Sequence, residues 1–230
     1  MIGSLIGGAS LTDWFVSILY RIPAVLIAIS FHEFAHGYMA YLRGDYTAKM
    51  YGRLTVNPKA HFDLYGAICM LLFGFGWANP VPFNYNNLKK PKLDSALIAL
   101  AGPLMNFILA TAAIVVWCLI YALGVRVAQN EVTGRIFGIV LDIVMTVYSL
   151  NIGLMVFNLL PIPPLDGSKI LFSLLPASAY RFILTYERYG FVILMVILVT
   201  RIIDKPLYWL IDIVSTPLQW LMTFLLNILI

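Results

Sequence analysis

Charge is what this sequence has least of. Only 11% of its 230 residues are Asp, Glu, Lys or Arg, whereas 61% are hydrophobic. Soluble domains carry about 25% charged residues, and one water-soluble core has no room for this much apolar surface. The chain is therefore expected to be an integral membrane protein in contact with a lipid bilayer. Its net charge of +4 is too small to argue for nucleic acid as a partner; in this class, positive charge reports topology. Cysteine is nearly absent. Cys69 and Cys118 both lie in apolar segments and suggest neither a disulfide framework nor a zinc ribbon. No basic stretch precedes the first long apolar run, so no cleavable signal peptide is expected. There is no internal repeat and no sign of a soluble domain. Residues 1–230 read as one membrane domain, with a motif-bearing core over about 22–175 and C-terminal helices over about 182–230.

Histidine is also scarce. Of three in the chain, two stand in Phe31-His32-Glu33-Phe34-Ala35-His36-Gly37. This is an H-E-x-x-H motif set inside an apolar run. Positions i and i+4 share a helix face, so His32 and His36 can offer two imidazole nitrogens to one metal ion. Glu33 stands beside them, where a general base is wanted. Ionisable groups at membrane depth are costly and mark function.

The remaining chain divides by hydropathy. Residues 1–20 read as a surface lead-in with a short interfacial helix around Trp14. Ile22 to Leu42 is long enough to span, since 21 residues at about 1.5 Å each reach ~31 Å. Ser95 to Val125 carries no charge, Ile136 to Leu160 is a further span, and two more are expected over about Phe182 to Ile203 and from Pro206 onward. Between the first two spans the chain is polar. Arg53 to Val56 is expected as a short strand and Asn57-Pro58 as a turn. Tyr65 to Ala78 is apolar but short and broken by Gly66, Gly74 and Gly76, which suits a re-entrant hairpin better than a span. The expected fold is thus an all-α membrane bundle of about five spans, with a re-entrant segment and a short membrane-associated β element.

Basic residues support the hairpin. If Tyr65 to Ala78 is re-entrant, Arg43, Lys49, Arg53, Lys59, Lys89, Lys90, Lys92, Lys169, Arg181 and Arg188 share one side, ten of the fifteen in the chain. If it spans, the two sides carry nearly equal numbers. The positive-inside rule favours the hairpin, with the cytoplasm at the C-terminal end of the His32 helix and the N-terminus outside.

Two histidines leave a zinc ion one protein ligand short of the usual three. Asp63, Asp142 and Asp166 are the candidates. Asp166 is favoured, because it follows Pro161-Ile162-Pro163-Pro164. Prolines there break a helix at membrane depth, which requires surrounding protein or a polar cavity, and Gly167 lets the backbone bend close. The competing role for Asp166 is a helix N-cap. His61 is read first as a loop-fixing histidine and second as a further metal or proton-relay group.

At this point the sequence resembles the site-2 protease family of intramembrane zinc metalloproteases. The resemblance rests on His32-Glu33-Phe34-Ala35-His36, on Asn158-Leu159-Leu160-Pro161-Ile162-Pro163-Pro164-Leu165-Asp166-Gly167, and on Ala101-Gly102-Pro103-Leu104-Met105-Asn106 as a third block. Gly52-Arg53-Leu54-Thr55 through His61-Phe62-Asp63, and Gly76-Trp77-Ala78 with Pro80-Val81-Pro82, are similar to its small bacterial and archaeal members. Asn79 departs from the basic residue expected there. No large inserted domain fits between the metal motif and Asp166.

The resemblance implies one zinc ion held by His32, His36 and Asp166. Glu33 would move a proton from the attacking water to the leaving amine, and Asn158 would hold substrate or stabilise the oxyanion. The implied partner is a membrane protein with a transmembrane helix, cut within or near that helix, in regulated intramembrane proteolysis. The site would open toward the cytoplasm of a multi-pass protein, most simply in the cell membrane. Two other readings compete: a membrane metal transporter, which predicts polar groups tracking across the bilayer, and an inactive membrane scaffold, which would not need the four site residues intact. The substrate, the oligomeric state and the role of Asn106 are not readable from the sequence.

Overall fold

The computed structural model describes residues 10–73, 76–128, 130–176 and 189–230. The first helix, α1, is Leu11–Leu42. It starts before the expected boundary at Ile22 because Ser10 caps it: the Asp13 N–H donates to Ser10 Oγ at 3.0 Å, and Asp13 places a carboxylate in the first turn. Residues 11–20 are therefore the N-terminal end of the same long helix and not a separate interfacial helix. Residues 1–9 of the expected lead-in lie outside the described residues.

Three further helices are long and apolar enough to cross a membrane. They are α5, Pro91–Val127, with Pro91 at its first position; α6, Glu131–Asn158, opened by a reciprocal Asn130–Thr133 cap; and α9, Asp204–Leu229. The expected span over about Phe182 to Ile203 is described only from residue 189. There it forms α8, Gly190–Thr200, whose 11 residues end at Arg201 in a left-handed conformation. Four helices among the described residues are thus long and apolar enough to span, and the first part of the remaining expected span lies outside the described residues. Short helices fill the loops: α2, Thr47–Met50; α3, Pro58–His61; α4, Leu64–Phe73; and α7, Asp166–Leu174.

The bundle is organised on α5. This helix buries every fourth residue from Asp94 through Ile98, Gly102, Asn106, Ala110, Ile114 and Cys118 to Ala122. Four residues advance a helix by about 400°, so the buried stripe winds slowly around it and meets one neighbour after another. Asp94 faces Arg43 at the end of α1. Asn106 faces Asn151 on α6. Ala110, Ile114 and Cys118 form a core with Ile152 of α6 and Leu218 of α9. Much of the stripe is small, as are Ala24, Ala28, Ala35 and Ala40 on α1. Lipid gives apolar helices no hydrophobic reason to associate, and small side chains gain packing by letting backbones approach. The contacts pair the end of α1 with the start of α5, and the end of α5 (Gly124) with the start of α6 (Phe137). The three helices therefore alternate in direction, and the end of α6 returns to the level of the histidines.

Residues 43–90 form a polar layer at that end. The residues flanking the apolar helix α4 lie together: beyond it, Asn79 N–H donates to His61 O at 3.0 Å. Ten residues of helix reach about 15 Å, half the hydrocarbon thickness. No strand occurs among the described residues, so the expected β element at Arg53 to Val56 is absent. That stretch is irregular, with a bend at Leu54-Thr55. The extended segment nearest to it, Asn79 to Phe83, has prolines at 80 and 82, which lack the N–H groups a ladder needs. Arg53 reaches this segment with its side chain instead, donating through Nη2 to Asn79 O at 2.6 Å and Pro80 O at 3.2 Å.

The layer is tied down by two buried carboxylates. Asp94 accepts from Arg43 Nε at 2.6 Å and from Lys90 N–H at 2.7 Å, joining α1 to α5. Asp45 is fully buried and accepts from Thr47 N–H, Thr47 Oγ1, Asn84 N–H and Asn87 Nδ2. Burial alone would raise the Asp45 pKa, but these four donors outweigh it and hold the carboxyl below its ordinary range. A depressed folded pKa contributes stability that is complete above the unfolded value, about 3.9, and is lost as pH falls through the folded value. Asp45→Asn should lower stability at neutral pH by about 1–3 kcal/mol, because it turns donors against donors. Thermal unfolding in detergent checks this: the difference between wild type and variant should shrink as pH is lowered below about 3.9.

Candidate metal centre

The site begins with the face of α1. His32 and His36 are one turn apart, with ring centroids 4.6 Å apart and planes at 87°. Each ring is held by its Nδ1. His36 Nδ1 lies 2.7 Å from the backbone oxygen of Ile98, and His32 Nδ1 lies 2.5 Å from Asn106 Oδ1. Both partners belong to α5. Between them sits Gly102, whose absent side chain makes the site possible. A Cβ there would stand 2.5 Å from His36 Nε2 and 2.6 Å from His32 Cε1, well inside van der Waals contact.

Asp166 arrives from the other side. Helix α6 ends at Asn158, the chain turns through the prolines, and α7 starts at Asp166. Gly167 presses onto the backbone of Leu159 and Leu160, so closely that a Cβ would clash with Leu159 O. This fold-back sets the carboxylate against both imidazoles. Asp166 Oδ2 is 3.2 Å from His32 Nε2 and 3.2 Å from His36 Nε2, and the two Nε2 atoms are 3.0 Å apart. The N-cap position of α7 is Leu165, with no side-chain cap, so the carboxylate is not spent on capping. Its other oxygen faces Lys169 Nζ at 4.0 Å.

This donor set fits zinc. A carbonyl oxygen can only accept, so Ile98 requires a proton on His36 Nδ1, and the amide oxygen of Asn106 asks the same of His32. Neutral rings then turn three lone-pair-bearing atoms on one another with no proton between them, which a divalent cation resolves. Ligands about 2.0–2.1 Å from a tetrahedral zinc ion lie about 3.3 Å apart, close to the separations here. His32, His36 and Asp166 form the one group of three such ligands found among the described residues.

Glu33 is buried next to the pair, and its Oε2 accepts from Val81 N–H at 2.9 Å. The other aspartates lie elsewhere. Asp142 is exposed on α6. Asp63 accepts from Gly66 N–H at 2.8 Å, at the start of α4. His61 is fully buried and bonds Thr55 O through Nε2 at 2.7 Å, which is the loop-fixing role. Asn158, half-buried at the end of α6, donates to Leu154 O in its own helix at 3.0 Å.

Three participants were not assigned from the sequence. Asn106 carried a signal, being a polar residue in an uncharged span four positions after Gly102, and hence on the same face. Val81 and Ile98 act through backbone atoms, which leave no mark in residue type.

Comparison with known proteins agrees with this chemistry. The family model for peptidase family M50 matches residues 20–200. YwhC of Bacillus subtilis (strain 168), named as a candidate zinc metalloprotease, is 41% identical over 182 residues, covering 79% of this chain and 80% of that protein. Rip2 of Mycolicibacterium smegmatis, named in the same way, is 28% identical over 198 residues, covering 81% of this chain and 71% of its own. Rip2 of Mycobacterium tuberculosis (strain H37Rv) is 27% identical over 195 residues, with the same coverage. No solved structure matches. A match this long, on a chain whose apolar helices bring two imidazoles and a carboxylate to one point, means that the protein belongs to peptidase family M50, the site-2 proteases, and is a zinc-dependent membrane metalloprotease.

Proposed function

We propose that this protein hydrolyses peptide bonds within or near transmembrane segments of membrane-tethered substrates, in regulated intramembrane proteolysis, as a single membrane domain. The observation that carries the reading is the convergence of His32, His36 and Asp166 beside Glu33 inside a bundle of apolar helices. His32, His36 and Asp166 are the residues that hold zinc in this reading. Bound there, zinc supplies Lewis acidity and makes water a nucleophile at neutral pH.

Glu33 has the other task. Its Oε2 is occupied by Val81 N–H, which leaves Oε1 to accept a proton from the attacking water and to pass it to the leaving amine nitrogen. Val81 is well suited to orient the base. In Pro80-Val81-Pro82 it carries the one backbone N–H, and Arg53 grips the carbonyls on either side of Pro80's nitrogen. Asn158 is the assigned donor to the developing oxyanion. In that role it exchanges its bond to Leu154 O for one to substrate. A substrate helix hides its peptide bonds in its own hydrogen bonds, so it must unwind locally to be cut.

Zinc content and cleavage of a single-span substrate, measured together, test the roles. Glu33→Gln should abolish cleavage and leave zinc bound. Asp166→Ala should lower zinc affinity, whereas Asp63→Ala and Asp142→Ala should not. Turnover near wild type in Glu33→Gln would remove glutamate as the base. Val81→Pro deletes one N–H and should lower cleavage by about 10–100-fold with zinc retained, the usual size for losing a group that orients a catalytic residue.

The polar layer at residues 43–90 and the opening of the site are assigned to the cytoplasmic side, on the bias of basic residues. The return of the chain to His61 at Asn79 supports one side for both flanks of α4. Single cysteines at Lys59 and Lys90, with Cys69 and Cys118 replaced, should both react with an impermeant reagent from the same side. Labelling from opposite sides overturns this topology.

A further inference from the structure

Behind His32 a row of polar side chains runs away from the site, through the interior, to a third helix. His32 Nδ1 meets Asn106 Oδ1 at 2.5 Å, Asn106 Nδ2 donates to Asn151 Oδ1 at 2.7 Å, and Asn151 Nδ2 donates to Val147 O at 2.8 Å. Both asparagines are fully buried. Nothing in the cleavage chemistry above requires Asn151, which has no contact with the three converging atoms.

The row has a direction, and its far end sets it. Val147 O is a carbonyl and can only accept, so Asn151 must present its amino group there and its oxygen to Asn106. Asn106 must then answer with its amino group and turn its own oxygen to His32. An oxygen at that position requires a proton on His32 Nδ1, which leaves the lone pair on Nε2, the atom 3.2 Å from Asp166 and 3.0 Å from its counterpart on His36. Without Asn151, the Asn106 amide could present either end. Its amino group would favour the opposite tautomer of His32, with a proton on Nε2 where a metal must bind. Reversing both amides instead sets the Asn151 oxygen against Val147 O, two acceptors in a buried site. His36 needs no such relay, because the backbone oxygen of Ile98 holds its Nδ1 directly.

We infer that Asn106 and Asn151 are positioning residues that lock His32 in its metal-binding tautomer, so that metal affinity depends on the packing of α5 against α6. This inference rests on the zinc reading of His32, His36 and Asp166.

The test is zinc affinity of the full-length protein in detergent, measured by chelator competition, with the absorption spectrum of the cobalt-substituted site as a second readout of ligand geometry. Asn106→Leu should weaken zinc binding by about 10–100-fold, the usual cost of losing a partner behind a histidine ligand. Asn151→Leu should weaken it by about tenfold at a distance, and the double variant should be no weaker than Asn106→Leu alone, because both act through one atom. Asn106→Asp in the Asn151→Leu background should restore affinity, since a carboxylate accepts on either face and needs no neighbour to orient it. Asn151→Ala serves as the same test if Asn151→Leu does not fold. A purely structural role for Asn151 predicts lower thermal stability with unchanged zinc affinity and an unchanged cobalt spectrum, and that result overturns the inference. Additive losses in the double variant, or no rescue by Asn106→Asp in a folded protein, also overturn it. If the wild type holds no zinc, the assignment of the site fails and the inference falls with it. If the wild type holds zinc and the asparagine variants match it, only the inference fails.

Discussion

A polar group in an apolar bundle is expensive unless something satisfies it, and this constraint shapes the whole molecule. Two imidazoles and two carboxylates are buried in a bundle whose exposed side chains are largely apolar. Each is answered. His36 has the Ile98 oxygen, His32 has Asn106, Glu33 has the Val81 N–H, and Asp166 faces both rings. None of these partners is water-facing surface, so the helices that supply them must be packed in one arrangement for the site to exist.

Helix α5 carries most of that burden. Ile98, Gly102 and Asn106 follow one another at intervals of four residues, and they provide an acceptor, a gap and a second acceptor for the two rings of α1. The same stripe continues to α6 and α9 through Ala110, Ile114 and Cys118. Small residues serve two ends here. They let the helix backbones come close where lipid offers no hydrophobic drive, and at Gly102 they leave space where the two imidazole rings converge. The polar layer around Asp45 and Asp94 then fixes the extended Pro80-Val81-Pro82 segment over Glu33, coupling loop stability to the orientation of that carboxylate.

Much of this was legible in the residues themselves. The low charge required a membrane, the spacing of His32 and His36 required a shared helix face, and the prolines before Asp166 required a break at the level of the site. Where the reading failed, the cause was local. The start of α1 was set too late, because Ser10 and Asp13 form a cap ahead of the long apolar run. The strand at Arg53 to Val56 was expected from residue type, but a strand exists only with a partner, and in the segment beside it Pro80 and Pro82 have no N–H while those of Asn79 and Val81 go to His61 and Glu33.

The sequence by itself determined the membrane class, the two-histidine face and the broken helix that carries Asp166. These follow from composition and from spacing along a single helix. Only the tertiary structure decided which aspartate meets the histidines, which backbone atoms hold Glu33 and His36, and that Asn151 stands behind Asn106. Those are relations between helices: they depend on how α5 and α6 turn against α1, and a backbone N–H or C=O that makes such a contact is chemically the same in every residue type except proline.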